Sequence, residues 1–308
     1  MRTCGTLAMP MILLAVSCTS IDDSAEHIGT LNLRLEFDLG MDMNGPVNSA
    51  NSMWSGDGKT YNLRYTVEAY RKNENDVIDV TPVRRLVFTG ENIFNPDTEL
   101  NISLEDGCYE FFVWTDFVEA GTAADYFYDT GNLREIKLLG KHKGNNDFKD
   151  AFFGSVKVNV SGGQGTAAKD CGISMKRAVS KCEYYAFELS SLLNEISADG
   201  ENPEECTATV FYTGRIPSGF NALTGETCMT RSGAEFSKSV RLDADMRMTN
   251  IGFDYMFSDE EDSSVSVLVG IFDKHGRLLT TTTHMNIPVS RNLCSSVNCS
   301  FITPVTIR

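Results

Sequence analysis

Histidine carries most general-base and zinc-binding chemistry, and this sequence has four: His27, His142, His275 and His284. None has a partner at the H-x-x-x-H or H-E-x-x-H spacing that sets two imidazoles on one helix face around a metal. No G-x-S-x-G elbow and no phosphate-cradling P-loop occurs, so acyl transfer and nucleotide hydrolysis lack their motifs. Carboxylates abound, yet no spacing sets two of them facing each other for glycoside hydrolysis. The run Asp259-Glu260-Glu261-Asp262 offers the oxygen ligands that calcium takes, without the glycine and alternating spacing of an EF-hand loop. It reads as a solvated turn. Seven cysteines, Cys108, Cys171, Cys182, Cys206, Cys228, Cys294 and Cys299, follow the N-terminal segment with no C-x-x-C among them. Seven cannot all pair, and they read as small apolar core residues with no disulfide assigned. The residues name no catalytic, cofactor-binding or metal-binding set, and the chain reads as a non-enzyme.

Covalent chemistry of another kind is written at the N-terminus. Residues 1–17 have a positive start at Arg2, a short apolar stretch from Leu7 to Val16, and small residues Ala15-Val16-Ser17 before a cut. About ten apolar residues are too few to span a bilayer as a helix, so this is a signal peptide. The cut leaves Cys18 first, an arrangement that resembles a bacterial lipoprotein lipobox, in which that cysteine is acylated, with palmitate among the chains. Residues 18–27 form an acidic linker, and its Asp22, Asp23 and Glu26 resemble the export signal of surface lipoproteins in Bacteroidales-type bacteria. Asp23-Ser24-Ala25 fits the short O-glycosylation pattern of such bacteria, with Ser24 as acceptor. These features place the protein on the outer membrane, lipid-anchored and exposed at the surface.

The body behind the linker is acidic. In 308 residues, 27 Lys and Arg stand against 42 Asp and Glu, a net charge of −15. Nucleic acid and anionic membrane surfaces need a basic footprint and are excluded as partners. An apolar share of 42% is ordinary for a packed globular core.

The elements are β. Residues 31–39 alternate without a fault, Leu31, Leu33, Leu35, Phe37 and Leu39 on one side, which is the period of a half-buried antiparallel strand. A polar loop over 40–58 contains no Lys or Arg. Further strands are predicted at 60–71, 83–88, 98–104, 107–115, 154–160, 173–188, 206–213, 235–242, 247–257, 264–273, 277–283 and 294–307, punctuated by Gly, Asn, Asp and Pro. One helix is predicted over 189–197. The Gly-rich stretch Ser161–Asp170 is the best domain break. The reading is all-β, with a sandwich over 28–165 and a second over 166–308. No internal repeat shows at the residue level.

Six motifs stand in series. Gly107, Tyr109, Trp114 and Asp116 lead, then Tyr128, then Asp150, Ala151, Phe152 and Gly154. Arg177, Ala178 and Lys181 follow, then Pro217, Phe220, Asn221, Thr224 and Gly225, and last Ile287-Pro288-Val289 with Arg291-Asn292. The series resembles the Bacteroidales-type fimbrillin superfamily, the type V pilins and FimB-type fimbrial anchor lipoproteins, over roughly 28–304. The resemblance implies two transthyretin-like Greek-key β-sandwich domains in tandem and no cofactor. Trp114, Asp116, Arg291 and Asn292 would be structural, Trp114 between sheets and Asp116 accepting backbone hydrogen bonds. The function implied is an anchor-like or accessory subunit of a surface fimbria, with other subunits as partners through strand addition. The alternative is a stand-alone surface lipoprotein that binds glycans through loop aromatics such as Trp54, Tyr126 and Tyr128. Arg34 is the one basic residue near the first strand until Lys59, and the chain runs only a few residues past Pro304. The first strand is therefore expected to be retained and the subunit to terminate or tether a fibre.

Overall fold

A computed structural model of the chain describes residues 28–37, 55–90, 98–162, 168–187, 193–194, 197, 206–242 and 248–302. Cys18, Ser24, His27 and Trp54 lie outside these, as does most of the predicted helix 189–197, of which residues 193, 194 and 197 are helical. The architecture is all-β.

In the first half, β1 (Ile28–Phe37), β2 (Tyr61–Arg71), β3 (Arg84–Gly90), β4 (Thr98–Glu105), β5 (Gly107–Glu119), β8 (Ala151–Val160) and β9 (Lys169–Arg177) form one seven-stranded assembly. Two short strands, β6 (Tyr128–Asp129) and β7 (Ile136–Leu138), stand between β5 and β8 in the chain. The spatial order is β3-β2-β5-β8-β9-β1-β4. The assembly is continuous only through a narrow bridge, because β8 meets β9 at Phe152↔Arg177 and Phe153↔Lys176 alone. Gly154 permits that crossing: a Cβ there would lie 2.6 Å from the Ser174 carbonyl oxygen. β1 runs antiparallel to β4 and parallel to β9. Its predicted alternation holds, with Leu31, Leu33 and Leu35 buried and Asn32 and Arg34 turned outward.

The second half comprises β10 (Val179–Phe187), β11 (Cys206–Tyr212), β12 (Ile216–Asn221), β13 (Glu226–Arg231), β14 (Glu235–Val240), β15 (Met248–Phe257), β16 (Ser263–Phe272), β17 (Leu278–Thr282), β18 (Met285–Val289), β19 (Cys294–Cys299) and β20 (Phe301–Ile302). A three-stranded sheet runs β15-β10-β19, and a second sheet runs β14-β11-β16, with β17 and β18 both on β16 and β20 beyond β17.

The halves repeat one another. β10 is antiparallel to β15 and parallel to β19, as β1 is to β4 and β9. β14-β11-β16 repeats β3-β2-β5, and β17 with β18 stands where β8 stands. Even the bridge recurs, since β17 pairs with β20 at Thr281↔Ile302 and Thr282↔Phe301. Each half also carries an inserted hairpin, β6–β7 in the first and β12–β13 in the second. These combine into a single four-stranded sheet, β13-β12-β7-β6, that belongs to both halves.

Sequence expectations change at three places, one of them the strand predicted over 294–307, which breaks at Ser300 into β19 and β20. The strand predicted over 173–188 is two strands, β9 and β10, in different sheets. The break is Ala178, fully buried, whose N–H bonds to Ala151 and whose carbonyl accepts from Ser258. The boundary at 165/166 moves accordingly. β9 hydrogen-bonds along β1, and Ile173 and Met175 sit in the first hydrophobic cluster, so residues 169–177 pack with the first half. In the chain the Gly-rich stretch stands between β8 and β9, the last strand of that half.

Candidate functional site: the junction between the halves

The segment Asn145–Asp150, ahead of β8, runs along the second half and is buried throughout. Asn145 has φ of 55°, a left-handed conformation in which asparagine is among the more tolerated residues. It pairs reciprocally with β15: its N–H donates to the Phe253 carbonyl, and its side-chain oxygen accepts from the Phe253 N–H. Asn146 caps the 3-10 turn Asp147–Lys149 by accepting from the Phe148 N–H. The turn then aims three charged side chains in different directions.

Asp147 accepts from Lys181 at 3.1 Å and from the Tyr255 hydroxyl at 3.0 Å, and Lys181 also pairs with Glu183 at 3.0 Å. Asp150 accepts from Arg177 Nε at 2.9 and 3.1 Å. Lys149 forms an ion pair with Asp254 of β15. Asp254 is fully buried and also accepts from His142 Nε2 at 2.5 Å and from the Tyr212 hydroxyl at 2.7 Å. Arg231 donates to His142 Nδ1 at 2.6 Å, which leaves Nε2 as the protonated nitrogen of a neutral imidazole. Burial pushes the Asp254 carboxyl up, but the facing His142 and Lys149 outweigh it and hold the group at about 2. Burial pushes both His142 and Lys149 below their ordinary values.

A His, an Asp and a Lys in contact resemble catalytic apparatus. Their side chains are 2%, 0% and 2% exposed, so no substrate reaches them. What the arrangement does is join the two halves. Breaking such a pair by removing one partner costs about 3–5 kcal/mol, because the other charge stays buried.

An apolar plug lies beside the charges. Trp114 of β5 is fully buried, edge-on to Tyr128 at 5.7 Å and tilted against Phe220 at 5.9 Å. Phe257 completes the group, stacked on Phe220 at 5.6 Å. Trp114 and Tyr128 come from the first half, Phe220 and Phe257 from the second. The first hydrophobic cluster thus takes in Phe220, Ala222, Phe253, Tyr255 and Phe257.

The other sequence-flagged residues fall around this junction. Among the described residues no backbone N–H donates to the Asp116 side chain. It holds Arg64 in a buried bidentate pair, Nε at 2.9 Å and Nη2 at 2.6 Å, and Arg64 reaches on to Asp125 at 2.5 Å. Arg291 bonds the Gly225 carbonyl, lies 4.9 Å from the Phe153 ring centre and pairs with Glu260 at 3.2 Å. Gly225 has φ of 73°, and a Cβ there would lie 2.9 Å from Phe153, so the turn needs glycine. Asn292, at φ of 60°, accepts from Arg177 at 3.1 Å and donates its N–H to Val179 at 3.1 Å.

Tyr128, offered as a sugar-stacking residue, is buried with its hydroxyl on the Lys149 carbonyl at 2.5 Å. Tyr126 is half-buried, with Lys59 and Lys143 ammonium groups 4.7 and 4.2 Å from its ring centre. Asp259 accepts from the Thr227 N–H and hydroxyl, both at 2.7 Å, and Glu260 from Arg291. These carboxylates line an open groove of about 830 Å³ with Phe153, Lys176 and Arg291. Among the described residues no three His, Cys, Asp or Glu side chains are placed to hold a metal. None of the seven cysteines named above forms a disulfide.

Sequence reasoning missed His142, Lys149, Arg231 and Asp254 as a set. The available signal was Asp254 itself, a lone carboxylate within the apolar strand Ile251–Phe257. An aspartate that faces into a core must have partners.

A family model described as a family of unknown function, DUF6562, matches residues 25–307. No curated protein matches the chain by sequence. Among solved structures, a candidate polysaccharide-binding protein of Bacteroides thetaiotaomicron, from DUF1812, is similar at 11% identity, over 82% of this chain and 79% of that one, with a TM-score of 0.46. The fimbrial anchor protein Mfa2 of Porphyromonas gingivalis is similar at 14% identity, over 82% of each chain, with a TM-score of 0.42. The tip fimbrial protein Mfa3 of the same organism, truncated at its C-terminus, is similar at 10% identity, over 85% of this chain and 81% of that one, with a TM-score of 0.40.

Proposed function

The chain belongs to the DUF6562 family, and we propose that it is a non-enzymatic, lipid-anchored protein of the outer surface, an anchor-like or accessory subunit of a fimbrial system. The observation that carries this reading is where the six-motif series sits in space. Trp114, Tyr128, Asp150, Arg177, Lys181, Phe220 and Asn292, scattered over the chain, lie at or beside one junction. A series that resembles fimbrillins would be retained as a set if it built one joint. The recurring strand order supports two transthyretin-like Greek-key sandwiches in tandem.

Tethering is supported by the N-terminal sequence through Cys18, with Ser24 a candidate glycosylation site in the short acidic linker before β1. β1 is the sole link between β4 and β9 in the described sheet, so a retained first strand suits a subunit that ends or holds a fibre. Partner subunits would dock by strand addition on an unpaired edge. β19 ends its sheet, and the cleft between β18 and β19, about 330 Å³, is lined by Met285, Ile287, Pro288 and Val297 among others.

The test is capture of tagged chain from native outer membrane, followed by identification of co-purifying proteins. Fimbrial subunits in the wild type, lost when β19 is blocked by Val297→Pro, would support the reading. A carbohydrate array that saturates with neutral glycans, with no subunit captured, would favour the stand-alone glycan-binding alternative.

A further inference from the structure

The loop Gly140–Gly144 lays a second feature over the junction. Lys141 and Lys143 are exposed on it, while Lys149 is buried beneath it and Arg231 reaches in from β13. Together with His142, Phe127, Leu138 and Leu139 they line a pit of about 10 Å³. Four cations converge here, in a protein whose net charge is −15.

Their compensation is incomplete. Among the described residues the one carboxylate in contact with any of the four is Asp254, and it already accepts from Lys149, His142 and Tyr212. Arg231 donates to the Gly140 carbonyl at 3.2 Å and to His142 at 2.6 Å, both neutral acceptors. Among the described residues its Nε–H is buried without a partner. A guanidinium offers five donors in a planar fork suited to oxyanions, and leaving one desolvated is costly. Phe127 and Leu138 wall the pit, so charge inside it is screened less than on the open surface.

We infer that this pit binds one oxyanion group, a carboxylate, sulfate or phosphate borne by an exposed ligand, between Arg231 and the Lys141–Lys143 loop, with the buried Lys149 ammonium contributing charge from beneath without contact. The volume matches that scale, since about 10–15 Å³ of such space admits one water-sized atom. A single oxygen enters, and the rest of the ligand stays outside between the two exposed lysines. Lys143 also lies over Tyr126, so the ligand body would meet an aromatic edge there. Lys59, beyond Tyr126, is paired with Glu119 at 2.8 Å and adds no free charge. The inference does not depend on the fimbrial role.

The test is a thermal-shift titration of the mature chain with sodium acetate, sulfate and phosphate, each against sodium chloride at equal ionic strength. At least one of the three should give a saturating rise in Tm, and the three arms identify which oxyanion is preferred. Arg231→Gln and the double variant Lys141→Ala/Lys143→Ala should each weaken the apparent affinity by about tenfold or more. The double variant changes only exposed side chains and remains decisive if Arg231→Gln unfolds. No saturable rise in any arm, or an equal rise in the double variant, would overturn the assignment and leave the pit as a hydrated recess.

Discussion

Lys181 of β10 reaches Asp147 at 3.1 Å, with both side chains more than nine-tenths buried, and this contact ties the first half to the opening strand of the second. Charges in such a place need each other in the absence of water, and Glu183 and the Tyr255 hydroxyl complete the set. Lys181→Met should therefore destabilise by about 3–5 kcal/mol, since it takes the ammonium away from the buried Asp147 and Glu183 carboxylates. Lys181→Met combined with Asp147→Asn should recover most of the loss. Urea denaturation of the two variants gives the comparison, and equal destabilisation by single and double would contradict the pairing.

Cleavage within Ser161–Asp170 should not release two free domains. The inserted hairpins share one sheet, and the Trp114 plug spans the halves. Nicked protein should show two bands on a denaturing gel and one peak at the intact mass by size exclusion. Two separating fragments would mean that the junction is too weak to hold them.

Trp114→Ala should cost about 3–5 kcal/mol, the range for large aromatic deletions from a core. Because Tyr128, Phe220 and Phe257 surround the lost ring, both halves should soften together. A single cooperative calorimetric transition at lower Tm is expected, and two resolved transitions would contradict it.

Acid should weaken the junction in two steps. His142 has a folded pKa below its ordinary 6.5, so its contribution is present above that value and is lost as pH falls beneath it. Asp254 is held at about 2 against 3.8, so its contribution is present above pH 3.8 and is lost as pH falls toward 2. The second step is worth about 2 kcal/mol. Stability measured from pH 7 to 2 should fall in these two windows, and Asp254→Asn should flatten the lower limb. A lower limb unchanged in that variant would reassign it to other carboxylates.

Cys18→Ala should move the protein from the membrane pellet to the soluble fraction, because two or three acyl chains hold a soluble body at about 0.8 kcal/mol per buried CH₂. N-terminal sequencing of surface material should also find β1 present. Its removal would expose the sites of Leu31, Leu33 and Leu35 and leave β4 without its partner. Arg34 itself is no obstacle to a protease, since its side chain is half exposed beside Glu99; its protection comes from backbone pairing on both sides. A mature start between residues 40 and 60 would contradict retention.

Legibility in the sequence followed element length and wetness. β1 was readable because one face is wet, so Leu and polar residues alternate cleanly along it. β10 was not separable from β9, because nearly every residue from Ala178 to Tyr184 is buried and the period disappears. The shared sheet escaped entirely. Its strands are two to six residues long, and β6 with β7 supplies only five residues in all. The repeat escaped for a related reason: strand order is set by pairing, and different side chains fill equivalent places. At the junction, the motif residues Trp114, Arg177 and Lys181 could be picked out one by one. Their convergence depends on the path of Asn145–Asp150, which no local period encodes.

The parallel placement of β1 beside β9, with β4 on its other side, has a mechanical meaning. Tension applied to Ile28 along the strand axis would load the hydrogen bonds to both neighbours in shear, because ladder bonds lie across the strand direction. Bonds in shear yield together, whereas a terminal hairpin pulled sideways opens one bond at a time. A body held by its N-terminal end would carry load through a strand whose bonds on both sides must yield together.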